Sequence, residues 1–268
     1  MKNQSTFEDL TIILPTLNEE ENIQLLIEEL INVLPEAFII IVDDSSSDNT
    51  PKIVKKLAQN SSKIILIERE EKPCLTLSIM TGIHAAKTDY VAWMDADLSA
   101  PPKILKKLYK IAHLSDCCIA SRFVKNNINT NGPKNRGIYI KKNDTLLSSI
   151  LSSLLNFFIH HTLKLKTTDN TSGFIVCRRD LISSHPFVGD YGEYFIELMY
   201  FFDRTGINVK ELFYEKPPRK SGKSKTSPNI IKLLCRGVKY LLIVIRLILP
   251  KAIFGKISLS MEYQKKNF

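Results

Sequence analysis

A cysteine framework is missing from this chain. Its five cysteines (Cys74, Cys117, Cys118, Cys177 and Cys235) are an odd number with no CxxC spacing, which speaks against a disulfide framework or a cysteine zinc site and favours a reducing setting. Its five histidines (His84, His113, His160, His161 and His185) show no HxxxH spacing and read, with the single Trp93, as structural or exposed. No internal repeat is present. The opening residues, MKNQSTFEDL, lack the apolar core of a signal peptide. The most apolar stretch, Ile230 to Phe254, is interrupted by Lys232, Arg236, Lys239 and Arg246 before it reaches the roughly 20 clean residues of a simple spanning helix.

What is present is a chain of 268 residues, 44% hydrophobic and 24% charged, which is ordinary for a folded protein and fits one large α/β domain with a short appendage. The formal net charge of +9 favours an anionic partner. The cations lie beside apolar helix residues and acidic strand ends, without the interleaved aromatic platform of single-strand binders, so nucleic acid is not the expected partner.

Short apolar, β-branched runs at Leu10 to Leu14, Phe38 to Val42, Lys63 to Ile67 and Tyr90 to Met94 predict buried parallel strands. Between them, Glu20 to Leu34 is amphipathic, and Thr50 to Gln59 opens with Pro51 at a helix-start position. This alternation predicts a doubly wound, mostly parallel α/β sheet, whose ligands sit at the carboxyl ends of the strands. Pro15 to Glu19, Asp43 to Asp48 and Asp95 to Ser99 all fall there.

Lys125 to Arg136 is polar and reads as a loop. Asp144 to Leu163 follows as a helix whose Ser148, Ser149, Ser152, Ser153 and Asn156 share one arc. That face either lines an acceptor groove or packs on the domain. At 100° per residue the four cations of the C-terminal stretch share an arc of roughly 80° opposite a wide apolar face. Such an amphipathic helix suits a membrane interface, and it also suits docking on the protein's own core. The shift at Pro228 divides the chain into 1–227 and a tail, 228–268.

Asp95-Ala96-Asp97 follows directly on a predicted strand, and two carboxylates so spaced can share a divalent cation with a diphosphate. Asp43-Asp44, at a second strand end, is placed to accept hydrogen bonds from a ribose or base. Each pair also suits plain loop solvation or capping; Asp48 in particular is placed to cap the helix near Thr50.

The segments ILPTLNEEENI (13 to 23), IIVDDSSSDNT (40 to 50), YVAWMDADLSAPP (90 to 102) and SRFV (121 to 124) resemble family 2 glycosyltransferases of the GT-A type. DNTSGF (169 to 174) and RKSGKSK (219 to 225) narrow the resemblance to dolichol- or polyprenyl-phosphate mannose and glucose synthases. The resemblance implies that Pro15, Leu17, Glu19, Val42 and Asp44 contact the nucleotide. Asp95, Ala96 and Asp97 become the metal and donor segment, with Ser99 as a further polar ligand for Mg²⁺ or Mn²⁺. Arg122 contacts phosphate near the reaction centre, and Arg219 and Lys225 end a segment that closes over the diphosphate; by itself 220–225 suits a solvated basic loop equally.

The implied reaction is inverting transfer of a hexose, mannose foremost, from GDP-mannose or a UDP-hexose to a polyprenyl phosphate. Its setting is the cytoplasmic side of a membrane, held peripherally or monotopically by the C-terminal helix. A phosphate acceptor is already anionic near neutral pH and needs no protein base; a hydroxyl acceptor would call on Asp190, Glu193 or Glu197. The chain departs from the family pattern at Leu17, commonly aromatic, at Ser45, usually glycine, and at Cys74-Leu75-Thr76, where a glycine-rich turn is usual. A second acceptor-side cation falls to Arg136, Lys141 or Lys142.

Overall fold

The runs read as strands form β1 (Leu10–Thr16), β2 (Phe38–Asp43), β3 (Ile64–Glu68) and β4 (Tyr90–Trp93) in a computed structural model that describes residues 7–124, 146–217 and 230–249. All four are parallel: β1 pairs with β2 from Thr11↔Phe38 to Thr16↔Asp43 and with β4 from Leu10↔Tyr90 to Ile13↔Trp93, and β3 extends the sheet beyond β2. Helices α1 (Ile23–Val33), α2 (Thr50–Ala58) and α3 (Leu75–Ala85) connect them. The Asp48 carboxylate takes the Thr50 backbone N–H at 2.9 Å, and Pro51 stands in the first turn of α2.

The chain continues through α4 (Pro102–Ala112), β5 (Cys117–Ser121), α5 (Leu146–Leu163), β6 (Ile175–Arg178), α6 (Tyr194–Thr205), β7 (Val209–Phe213) and α7 (Ile230–Ile248). The strand order is β3-β2-β1-β4-β6-β5-β7. Only β6 runs against its neighbours, β4 and β5. The chain enters β6 from a turn at 167–173 that packs on the end of β5, with Ser121 and Thr168 hydroxyls 3.1 Å apart, so β6 must run back. The architecture is the mostly parallel, doubly wound α/β sheet expected from the sequence.

Both faces of the sheet are covered, which is why its central strands β1, β2 and β4 are mostly apolar. Alternate residues serve opposite cores. Ile12, Leu14, Ile39, Ile41 and Met94 pack with Leu26 and Leu30 of α1 and Leu105 and Leu108 of α4. Ile13, Ile40, Val42, Val91 and Trp93 pack with Ile79 and Ile83 of α3, Phe195 and Met199 of α6, and Ile243 and Val244 of α7. Gly82 brings α3 down onto β1, since a Cβ there would lie 2.4 Å from Ile13 Cγ2.

Helix α5 turns Asn156, Ile159, His160 and Leu163 inward and leaves Leu151, Leu154, Phe157 and Phe158 exposed. Its Asn156 therefore belongs to internal packing, where Nδ2 donates to Thr168 O and Oδ1 accepts the Asn170 N–H at 2.9 Å. Helix α7 packs on α5 and α6 and exposes Val238, Leu241, Leu242, Ile245 and Ile248. Among the described residues no helix is long and apolar enough to cross a membrane. The expected boundary at 227/228 lies outside the described residues, as does the expected loop 125–136.

Candidate active site

Strand order reverses between β1 and β4, and a cleft of about 240 Å³ opens at the carboxyl ends of β1, β2 and β4. Pro15, Leu17 and Glu19 line it from β1, Asp44 from β2, and Asp95, Ala96 and Asp97 from β4; Cys74, Leu75 and Ser78 of the α3 entry and Asp190 and Tyr191 complete the walls. Three predicted loops thus meet in one place. Val42 does not reach the lining: its side chain is fully buried in the core beneath α3.

The serine-rich stretch after Asp44 stitches the first two loops together. Asn18 N–H donates to Ser46 Oγ at 2.8 Å, Ser47 N–H to Asn18 Oδ1 at 2.8 Å, and Glu19 N–H to Thr50 Oγ1 at 2.8 Å. Asn18 (φ 53°), Ser45 (φ 63°) and Leu98 (φ 62°) are left-handed without being glycine, a strain of roughly 1 kcal/mol each. All three stand in the loops that build the cleft. Ser45 thereby shows why glycine is usual at its position, and its hydroxyl donates to Arg69 O at 2.7 Å.

The two acidic residues at the end of β2 have separate tasks. Asp43 is used up internally, accepting from Thr16 Oγ1 at 3.0 Å and from Ser46 N–H and Oγ at 2.9 and 2.6 Å. Asp44 faces the cleft with its carboxylate paired to Arg69, both side chains only 7% exposed, and its other oxygen accepts the Cys74 N–H at 2.5 Å. Arg69 also donates to Ser78 Oγ at 3.2 Å and Glu71 Oε2 at 2.8 Å. Cys74 has φ −153°, open to any residue, so the missing glycine brings no strain; Thr76 Oγ1 instead ties the loop to Gly189 O at 2.5 Å.

At the end of β4, Asp95 is 52% exposed and faces Lys216 Nζ at 3.5 Å. Asp97 is buried and accepts the Ser99 N–H at 3.1 Å. Ser99 Oγ is buried with no hydrogen-bond partner among the described residues. Two carboxylates and an orphaned hydroxyl are hard oxygen donors, the chemistry that suits Mg²⁺ or Mn²⁺. No third His, Cys, Asp or Glu joins them among the described residues, so water and donor oxygens would complete such a shell. Burial works against the Lys216 cation, but Asp95, Tyr214 and Asp97 outweigh it and hold its pKa above the usual lysine value.

Residues 11–185 match the family described as Glycosyl transferase family 2. The chain belongs to that family. A dolichol-phosphate mannosyltransferase of Pyrococcus furiosus is 30% identical over 176 residues, 65% of this chain and 47% of its own, so the chain spans about half the length of that relative. The polyprenol monophosphomannose synthase of Mycolicibacterium smegmatis is 27% identical over 229 residues, 82% of each chain. The glucosyl-3-phosphoglycerate synthase of Mycobacterium tuberculosis shares the fold with a TM-score of 0.62 at 16% identity, over 88% of this chain and 79% of that one.

Within this family 2 chain, Arg122 leaves the carboxyl end of β5, outside the lining of the cleft, and is gripped by the fully buried Asp169, through Nε at 2.8 Å and Nη2 at 2.7 Å. Arg219, Lys225, Arg136, Lys141 and Lys142 lie outside the described residues. Of the three carboxylates considered as bases, only Asp190 lines the cleft. Its Oδ1 accepts from Lys239 of α7, and that bond holds its pKa below the usual aspartate value. Glu193 is buried and accepts the Asp190 N–H at 3.0 Å, while Glu197 faces His185 at 3.4 Å. Trp93 is a core residue whose Nε1 donates to Tyr194 Oη at 2.8 Å.

Arg69 and Lys216 went unread in the sequence. A lone cation after a strand has no diagnostic spacing, and each finds its aspartate only through the fold. The one available signal was position: Arg69 directly follows β3, and Lys216 stands three residues beyond the end of β7, both at carboxyl ends of parallel strands.

Proposed function

We propose that this chain transfers a hexose, mannose foremost, from GDP-mannose or a UDP-hexose to a polyprenyl phosphate, dolichyl or undecaprenyl, with inversion. The observation that carries the choice of acceptor is the Asp190–Lys239 pair. A hydroxyl acceptor needs a carboxylate free to take its proton. Of Asp190, Glu193 and Glu197, the one that lines the cleft is held by Lys239 and is a weaker base for it, whereas a phosphate monoester attacks without giving up a proton. The names of the Pyrococcus and Mycolicibacterium relatives support the same acceptor class.

In this reading Pro15, Leu17, Glu19 and Asp44 wall the nucleoside, with Val42 setting the strand end from beneath. Asp95 and Asp97, with Ser99 Oγ, would hold Mg²⁺ or Mn²⁺, whose Lewis acidity neutralises charge on the departing diphosphate. Lys216, Arg122, Arg219 and Lys225 donate to phosphate oxygens, Arg122 turned toward the acceptor. An acceptor phosphate oxygen attacks the anomeric carbon in line; the new carbon–oxygen bond forms as the bond to the diphosphate breaks and its electron pair leaves with the nucleotide. The reaction runs on the cytoplasmic side of a membrane, which the exposed apolar residues and the cations of α7 meet as a peripheral or monotopic anchor.

The test is to incubate membranes containing the protein, with Mg²⁺ or Mn²⁺, with undecaprenyl or dolichyl phosphate and labelled GDP-mannose or UDP-glucose in turn. Label entering an acid-labile lipid, lost on chelation and in Asp97→Ala, is the expected result. Label on a saccharide with none in lipid would overturn the acceptor assignment. Nucleotide-sugar binding without lipid product would likewise point to a different acceptor, and neither binding nor product would favour a catalytically silent membrane-surface protein that retains the fold.

A further inference from the structure

The DNTSGF turn has no step in the proposed reaction, yet it is heavily braced by buried polar groups. Two buried carboxylates meet there in different circumstances. Asp169 takes the fork of Arg122, and its Oδ2 also accepts the Arg122 backbone N–H at 3.0 Å. Glu211, on β7 and 3% exposed, accepts only from the turn among its described hydrogen bonds: Thr168 N–H at 2.9 Å, Thr168 Oγ1 at 2.9 Å and Asp169 N–H at 3.1 Å. From the other side α5 adds Asn156, bonded to Thr168 O and Asn170 N–H, and His160, whose Nδ1 lies 2.8 Å from Thr167 O.

A carboxylate buried without a cation costs stability, which the three hydrogen bonds that Glu211 accepts offset. Burial pushes Glu211 up to about 7. What Glu211 accomplishes is geometric. By holding the N–H groups of residues 168 and 169 together it fixes the backbone at Asp169, and the two Asp169 oxygens then meet the planar guanidinium as a fork.

We propose that Glu211 is a positioning residue for Arg122, acting through the 168–169 backbone and the Asp169 carboxylate. The motif is thus a device for holding one arginine in a fixed orientation at the carboxyl end of β5. The functional part of this statement rests on the reading that Arg122 meets a phosphate.

The test compares Glu211→Gln, Arg122→Ala and the double variant in the full chain, with arginine side-chain ¹⁵N NMR on the first. Glu211→Gln keeps the amide fingerprint of the remaining fold but shifts the Arg122 Nε–H signal and speeds its exchange. It lowers kcat for glycosyl transfer about tenfold with the donor KM little changed, and it costs nothing further in the Arg122→Ala background. Equal, additive losses in both backgrounds, or an unchanged Nε–H signal, would overturn the proposal. Absence of any transfer by the native chain would sink the proposed function and leave the NMR result to judge the brace. Should Glu211→Gln not fold, Thr168→Val, which removes one of the three donors, takes the same two readouts.

Discussion

Two aspartate–cation pairs face the same cleft and differ in nearly every physical respect. Asp44–Arg69 is buried on both sides, saturated with further hydrogen bonds and joined to the α3 entry. Asp95–Lys216 is half open to solvent, with side chains 52% and 21% exposed and a separation of 3.5 Å. Removing one partner of a buried pair strands a charge and costs about 3–5 kcal/mol, whereas exposed pairs contribute about 0–1 kcal/mol. The first pair is therefore a wall, and the second is a contact that a ligand can replace.

The comparison breaks most visibly at Arg69. Arg69→Ala should lower stability by about 4 kcal/mol, seen as a fall of roughly 10 °C in Tm; a change under about 1 kcal/mol would remove the distinction. Glu211 sharpens it by showing a carboxylate with no cation among its described hydrogen bonds. Its native pKa, about 7, lies above the ordinary 4.5, so the native state holds the proton more tightly than the unfolded one. Stability should then decline as pH rises between these values, by roughly 3 kcal/mol at most. Urea titrations at several pH values should show that slope flattened in Glu211→Gln.

At Asp97 the expected effect is on chemistry. Asp97→Ala should reduce lipid glycosylation about a hundredfold or more while Tm moves little. Lys216 gives the smallest change: Lys216→Met should alter stability by less than about 1 kcal/mol. By calorimetry it should bind Mn²⁺ a few-fold more tightly without nucleotide, because a competing cation is gone, and bind the nucleoside diphosphate roughly tenfold more weakly. Metal affinity that does not move would place Lys216 outside the donor site.

The sequence made the first half of the fold legible because β1 to β4 are β-branched runs separated by periodic helices. Beyond Asp95 less was read. Strand β7 carries Lys210 and Glu211 inside it, and the apolar run at β6 is only Phe174 to Cys177 before Arg178, too short for periodicity to tell strand from helix. Helix α4 was readable by the same rule as α1: Leu105, Leu108, Tyr109 and Ala112 are buried at helical spacing behind Pro102. The carboxylates of the site were legible from their places after strands. Their cations were not, since Asp44 meets Arg69 across 25 positions and Asp95 meets Lys216 across 121. The hydroxyls of Ser46, Ser47 and Thr50 make sense only as stitches between two loops.

Adjacent residues of α7 grip the cleft wall: Lys239 holds Asp190, and Tyr240 lies so close to Gly192 that a Cβ there would stand 2.7 Å from its hydroxyl. The same helix turns Leu241, Leu242 and Ile245 outward. Where those residues enter a bilayer, lipid and nucleotide act on one mechanical element, and thermodynamic reciprocity then governs both. Whatever factor vesicles impose on nucleotide affinity, nucleotide must impose on vesicle partitioning.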